Sequence, residues 1–336
     1  MSRARLAAGA LLVALALVGC GEKEDGTGAD PERFDLALDF FVNPDHVGIY
    51  TALEQGTFEN AGLDVQPRVP ADPAAPIKQV AAGQVDLAIS YEPEVMLARD
   101  QGLDVVAVAA LVNGPLTSLI SLPEAGIEEP ADLAGKTIVT AGIPYQTAFL
   151  ETILRDAGVD PAEVDQVDVG LNLLQPVLAG RADAMLGGFL NVEGVQLEEE
   201  GKNPRVVPVD ELGIPTYDEL VLVADAERLA DDPDSIEAFI AALETGTERA
   251  AASPAAATEA LLAAGEGLDP QLTRAEVDAT LPRLEPPKGR PFGYMDPGEW
   301  EEFGAFLADQ GQIDVQPSAG DLLTDDLLPP GDGPNP

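Results

Sequence analysis

Cysteine is almost missing from this 336-residue chain, with Cys20 alone near the N-terminus. One cysteine excludes an intramolecular disulfide and a thiolate metal centre, and beyond Cys20 no thiol nucleophile remains. Histidine is as scarce: His46 stands alone, so no pair of imidazoles can hold a zinc ion. Basic residues number 18 against 60 acidic ones, a net charge of −42. Nucleic acid does not fit such a chain, because the phosphate backbone is bound by clustered Lys and Arg. The acidity is spread along the sequence, as on a solvated surface suited to a salty or acidic exterior, and it is equally a field that attracts cationic solutes. Aromatics make up only 5%, which gives weight to each one placed at a strand end. Neither a G-x-S-x-G elbow nor a phosphate-cradling G-x-x-x-x-G-K-[ST] occurs. Among 60 carboxylates nearness in sequence singles out no acid pair, and a carboxylate-only hydrolase stays open on that ground.

What is present begins with an apolar run over 6–18, preceded by Arg3 and Arg5 and ending in Leu17-Val18-Gly19-Cys20. A positive start, a short apolar stretch and a small-residue cleavage site form a secretory signal. The run falls short of the about 20 apolar residues a membrane span needs. It resembles bacterial lipoprotein signals, which implies removal of residues 1–19 and lipidation of Cys20, with two or more acyl chains anchoring the protein to the cell membrane on its outer side. Residues 20–33 are polar and glycine-containing and read as a flexible tether.

Hydrophobic residues make up 46% and charged residues 23%, an ordinary globular composition, and the length suggests two lobes. From Phe34 onward short β-rich runs alternate with helical patterns, as in an α/β fold with mostly parallel sheets. Strands are expected over 34–40, 64–69, 86–90, 105–112, 136–140, 166–169, 184–187, 205–209 and 219–224. Between them lie helical patterns near 44–47 and over 77–82, 93–101, 145–157, 173–179 and 192–200. Beyond Asp225 the pattern is helical throughout, over 226–229, 235–251, 254–264, 273–284 and 297–310. Residues 315–336 read as a disordered tail.

Two segments echo each other. Ala82-Gly83-Gln84-Val85-Asp86 and Ala179-Gly180-Arg181-Ala182-Asp183 each read as a helix end, a glycine cap and an aspartate opening a strand. One sheet unit is therefore used twice, and each copy runs into a loop at the carboxyl end of a strand, where open α/β sheets bind ligands. The apolar segments 117–122 and 219–224 are placed to leave and re-enter the first lobe. The expected division is lobe 1 over 34–116 and 217–314, with lobe 2 over 117–216.

The segment Asp39-Phe40-Phe41-Val42-Asn43-Pro44-Asp45-His46-Val47-Gly48-Ile49-Tyr50 closely resembles the first strand, loop and helix of the binding proteins for thiamine-pyrimidine precursors. Four further segments fit that family: 54–65 with Phe58, Ile89-Ser90-Tyr91-Glu92-Pro93, Leu119-Ile120-Ser121-Leu122, and 191–198. The resemblance implies a type II periplasmic-binding fold of two lobes, each a mostly parallel sheet flanked by helices, joined by two crossover strands. It further implies a monomer without cofactor that binds a small aminopyrimidine between its lobes and hands it to the permease and ATPase of an ABC importer.

A planar aminopyrimidine needs rings to stack on and a partner for its amino-and-ring-nitrogen edge. Phe40, Tyr91 and Tyr145 fall at or just after strand ends, as stacking partners or as ordinary core. Glu193 is the candidate for the edge, with Asn191 beside it, and is equally placed to be a helix-start carboxylate. Asn43 and Asp45 are candidate contacts or caps, and His46 a donor to the solute or a satisfied structural residue. Relatives commonly carry Trp where this chain has Phe40 and Leu190, so a flavin or another flat heterocycle remains an alternative. Sulfonate or nitrate would call for an Arg or an exposed helix N-terminus; the expected cleft residues Asn43, Asp45, Glu92 and Glu193 include no Arg. Eukaryotic pyrimidine synthases share the fold, with a pyridoxal-phosphate lysine and a histidine in the segment matching 88–99 and a cysteine-rich strand matching 217–223. Neither segment here holds Lys, His or Cys, which points away from enzyme chemistry.

Overall fold

The computed structural model describes residues 30–330. Cys20, the signal segment and the end of the tail lie outside that range.

Two five-stranded sheets organise the chain. The first takes strands Glu32–Ala37 (β1), Leu63–Arg68 (β2), Leu87–Ser90 (β3) and Val105–Val112 (β4). The second takes Thr117–Ser121 (β5), Thr137–Thr140 (β6), Asp165–Asp168 (β7), Ala184–Phe189 (β8) and Arg205–Pro208 (β9). Leu220–Asp225 (β10) then returns to the first. The orders are β2-β1-β3-β10-β4 and β7-β6-β8-β5-β9. In each sheet one strand runs antiparallel between its neighbours: β10 between β3 and β4, β5 between β8 and β9. The apolar run of β4 and the Leu-Val-Leu-Val-Ala of β10 suit strands covered on both faces, and their side chains are buried almost throughout.

The echo in the sequence has a structural counterpart. Gly83 and Gly180 both take the left-handed conformation, φ +63° and +64°, after helices Pro76–Ala81 and Leu174–Leu178. The following aspartates bond to the neighbouring strand in the same way: Asp86 Oδ2 accepts from Asp35 N at 2.7 Å, and Asp183 Oδ2 accepts from Thr137 N at 2.9 Å. Each carboxylate ties β3 to β1, or β8 to β6, at the amino end of the later strand.

The chain passes between the sheets at two places, and one carboxylate clamps them together. Glu219, fully buried, accepts from Leu116 N (2.6 Å), Thr117 N (2.7 Å), Thr117 Oγ1 (2.8 Å) and the Tyr217 hydroxyl (2.9 Å).

After β10 the chain is helical, with Pro233–Ala252, Pro254–Ala264, Pro270–Thr280 and Pro297–Asp309 as the longer members. Each starts with proline, whose missing N–H costs nothing at a first helical position. One expectation fails here: the tail from residue 315 is ordered through its described part. Ala319–Leu322 is a helical turn, Leu322, Leu323 and Leu327 are buried, and Thr324 N donates to Ala107 O at 2.9 Å beside a bridge between Ala107 and Leu323. These leucines cover β4, the edge strand of the first sheet, whose free backbone groups would otherwise need another partner. The Pro- and Gly-rich composition further on masked this short anchor.

Candidate ligand-binding site

A cavity lies between the two sheets. Its wall from the first sheet is Asp39, Phe40, Asn43 and Tyr91, and from the second Ala141, Ile143, Tyr145, Gln146, Leu173, Gly187, Phe189, Val192 and Glu193. Most of these follow the carboxyl ends of β1, β3, β6 and β8, the ends at which open parallel sheets leave a crevice.

Asp39 is the centre of the first wall. It is 1% exposed, and both carboxylate oxygens are engaged: Oδ1 with His46 Nε2 at 2.8 Å and Oδ2 with the Tyr91 hydroxyl at 2.9 Å. The His46 tautomer follows from its other nitrogen, since Nδ1 accepts from Asn43 N at 3.3 Å and Nε2 therefore carries the proton given to Asp39. Asn43 caps the 3-10 turn Pro44–His46, with Oδ1 accepting from Asp45 N at 2.8 Å. The sequence N-P-D-H thus builds a reciprocal cap whose histidine fixes the carboxylate at the cavity floor. Phe40 meets Phe41 edge-on, ring centres 5.6 Å apart, at the open side.

Aromatic rings continue across to the second wall. Tyr91 and Tyr145 lie with centres 5.2 Å apart and planes tilted by 50°, and Tyr145 packs edge-on against Phe149 at 5.1 Å. Burial pushes both phenols well above their ordinary pKa, so they act as neutral hydroxyls. Gln146 Oε1 accepts from Ala141 N at 2.8 Å, which leaves the amide nitrogen against Gly187. Gly187 has φ +109° and no room for a side chain: a Cβ there would sit 2.8 Å from Gln146 Cδ. Glu193 Oε2 accepts from Phe189 N at 2.7 Å. Part of this side chain faces the cavity while the surrounding protein desolvates its carboxyl and raises its pKa, against the backbone donors at Phe189 and at Glu193 itself.

The expected site residues divide into two sets. Phe40, Asn43, Tyr91, Tyr145 and Glu193 line the cavity. His46 and Asn191, both fully buried, lie behind its surface. His46 holds Asp39, and Asn191 Nδ2 donates to Asp45 Oδ1 at 2.8 Å and Thr280 Oγ1 at 2.7 Å. Asp45 and Glu92, expected at the cleft, are engaged elsewhere, Glu92 Oε2 accepting from Asp218 N at 2.7 Å. Asp39, Gln146, Leu173, Gly187 and Phe189 were not singled out from sequence. Asp39 opens the same motif as His46, and its seven-residue spacing from the lone histidine was the available signal.

The lining has four polar side chains able to meet a ligand, Asp39, Asn43, Gln146 and Glu193, set among aromatic and aliphatic ones, and neither Lys nor Arg. It is a site for a flat, uncharged or cationic molecule rather than an anion. Among the described residues no cluster of His, Cys, Asp and Glu has the arrangement of a metal centre.

The architecture has solved counterparts. The alkanesulfonate-binding protein SsuA from Xanthomonas axonopodis pv. citri, bound to MOPS, superposes with a TM-score of 0.70 over 88% of this chain and 99% of its own, at 14% identity. The fold is therefore that of the two-lobed periplasmic binding proteins. The family model described as NMT1/THI5 like matches residues 43–257, and the chain belongs to that family. A formylaminopyrimidine-binding protein of Halalkalibacterium halodurans is 35% identical over 301 residues, 88% of this chain and 91% of the relative. A 4-amino-5-hydroxymethyl-2-methylpyrimidine phosphate synthase of Legionella pneumophila is 24% identical over 300 residues, 88% of this chain and 92% of the relative. The chain is thus more similar to that binding protein than to that synthase.

Proposed function

We propose that this protein is the extracytoplasmic solute-binding component of an ABC importer and carries a thiamine-pyrimidine precursor, an aminopyrimidine held between its lobes. The observation that carries the reading is the cavity wall itself: Tyr91, Tyr145, Phe40 and Phe189 offer ring faces and edges, while Glu193, Asp39 and Gln146 offer polar groups without a single cation. Ring contacts contribute about 0.5–1.5 kcal/mol each beyond area burial, and a carboxylate hydrogen bond about 1.5–3 kcal/mol. Glu193 reads the amino-and-ring-nitrogen edge, Tyr91 and Tyr145 hold the ring, and Asn43 and Gln146 position its substituents. Similarity to the formylaminopyrimidine-binding protein supports this choice over flavins and sulfonates. Lobe 1 is residues 34–116 and 217–314 and lobe 2 residues 117–216. Ligand favours the form in which they close on it, and the permease recognises that form. Cys20 carries the lipid anchor, the protein acts as a monomer, and it performs no chemistry on its cargo.

Isothermal titration of protein beginning after residue 20 tests this. Tight one-to-one binding of formylaminopyrimidine or 4-amino-5-hydroxymethyl-2-methylpyrimidine is expected, without turnover. Binding of an alkanesulfonate or riboflavin alone would overturn the assignment, and conversion of any of these compounds would overturn the binding-only role.

A further inference from the structure

Beside the cavity, and sharing Phe40, Asn43, Leu173, Val192 and Glu193 with it, is a wider vestibule. Its far side is the helix Pro270–Thr280, which packs against both the turn Pro44–His46 and the helix Glu193–Glu199. Two carboxylates of that region line the vestibule, and they differ in kind. Asp269 is spent on capping, accepting from Gln271 N and Leu272 N at 3.0 and 2.9 Å. Glu276 is 5% exposed, with no hydrogen bond or ion pair among the described residues, yet it lines the vestibule. Its electrostatic neighbours are acidic too, Glu193 and Asp45, and the vestibule lining holds neither Lys nor Arg.

A buried carboxylate without a partner is costly, and more so beside other acids. Among the described residues no side chain pairs with Glu276, whose carboxylate faces the vestibule, whereas Thr280 Oγ1, one turn on along the same helix, accepts from Asn191 Nδ2. We propose that Glu276, with Glu193 adding to the negative field around it, forms a subsite for a positively charged nitrogen carried on the substituent of a pyrimidine whose ring lies in the neighbouring cavity. The inference rests on the pyrimidine reading above and adds to it a preference for a precursor with a cationic side arm. Among the described residues the carboxylates do not converge as metal ligands do, which favours an organic cation over an ion. Burial and the acidic neighbours push Glu276 up to about 8, so near neutrality it is largely protonated until a cation arrives, and arrival of the cation expels that proton.

Three probes with one ring separate the charges: 4-amino-2-methylpyrimidine bearing 5-hydroxymethyl (neutral), 5-aminomethyl (cationic) or 5-phosphomethyl (anionic). Calorimetry at pH 7 in buffers of different ionisation heat should show the aminomethyl compound binding at least tenfold tighter than the hydroxymethyl one, and releasing more protons. The phosphomethyl compound should bind weakest. In Glu276→Gln the aminomethyl-to-hydroxymethyl affinity ratio should fall to about one and the extra proton release should vanish, with the melting temperature reporting that the variant is folded. Equal affinities in the parent protein, or a ratio that persists in Glu276→Gln, would overturn the subsite while the pyrimidine reading stands. Failure of all three probes to bind would overturn both. If Glu276→Gln does not fold, Glu276→Asp should retain part of the preference, and a preference fully kept or reversed there would equally overturn the subsite.

Discussion

Asn191 and Asp45 join the two walls of the cleft through a single hydrogen bond of 2.8 Å, from the Asn191 amide to Asp45 Oδ1. Asp45 Oδ2 and the amide oxygen of Asn191, Oδ1, are each buried without a partner. Burial raises Asp45 to about 7, against the opposing influence of Asn191 and His46. A proton on Asp45 neutralises the carboxyl, and a neutral group costs less to bury than an unpaired anion. A folded-state pKa above the unfolded value of about 3.9 means stability that is present below pH 4 and lost as pH rises through 7. Asp45→Asn, which keeps a neutral group there, should therefore raise the melting temperature by several degrees at pH 8 and change it little at pH 5. Melts of both proteins at the two pH values check this.

Tyr91 contributes a ring to the cavity and a hydroxyl to Asp39. Tyr91→Phe should cost about 1 kcal/mol of stability, the net worth of one buried hydrogen bond, because the carboxylate keeps His46. Tyr91→Ala removes the ring as well and should weaken ligand binding at least tenfold. Denaturant unfolding and calorimetry separate the two effects.

Gly187 admits Gln146 only because it has no side chain. Gly187→Ala should displace Gln146 from Ala141 and lower affinity by tenfold or more, beyond the strain of alanine at positive φ. Gly188→Ala, one residue along β8 and outside the lining, is the comparison, with affinity much less affected.

The net charge of −42 sets carboxylates against one another across the surface. Screening shortens the reach of that repulsion from about 30 Å at 0.01 M salt to about 3 Å at 1 M. The melting temperature should accordingly rise by several degrees between those concentrations of NaCl at pH 8. It should also rise on lowering the pH from 8 to 5, as Asp45, Glu94 and Glu276, all raised by burial, keep their protons in the folded state. Differential scanning calorimetry on one sample set tests both dependences.

The positions of the ten strands were largely legible because β-branched and aliphatic runs separated by glycine and acidic turns have few other readings. The repeated Gly-x-x-Asp went further, since the same residue pattern carries the same carboxylate-to-strand bond in both sheets. Less of the cavity could be read. Asn191 and Glu193 are two residues apart, and only the turn at Val192 decides that the second faces the cavity and the first the protein interior. Gln146 and Gly187 are 41 positions apart, and their contact exists only once β8 is paired to β6. The buried leucines of the tail were hidden by the composition around them, because periodicity has little purchase on a single turn.

The placing of β10 in the middle of the first sheet, rather than at an edge, bears on how the chain assembles. Strands β5 to β9 occupy one uninterrupted stretch, so the second sheet can close as soon as residue 208 has been made. The first sheet cannot: β3 and β4 are both finished by residue 112, yet they touch only through β10, which begins at residue 220. A growing chain would hold two apolar half-sheets open while its later-made neighbour was already complete. The N-terminal half is consequently where a holding chaperone would find its substrate, and where a truncation before residue 220 would aggregate.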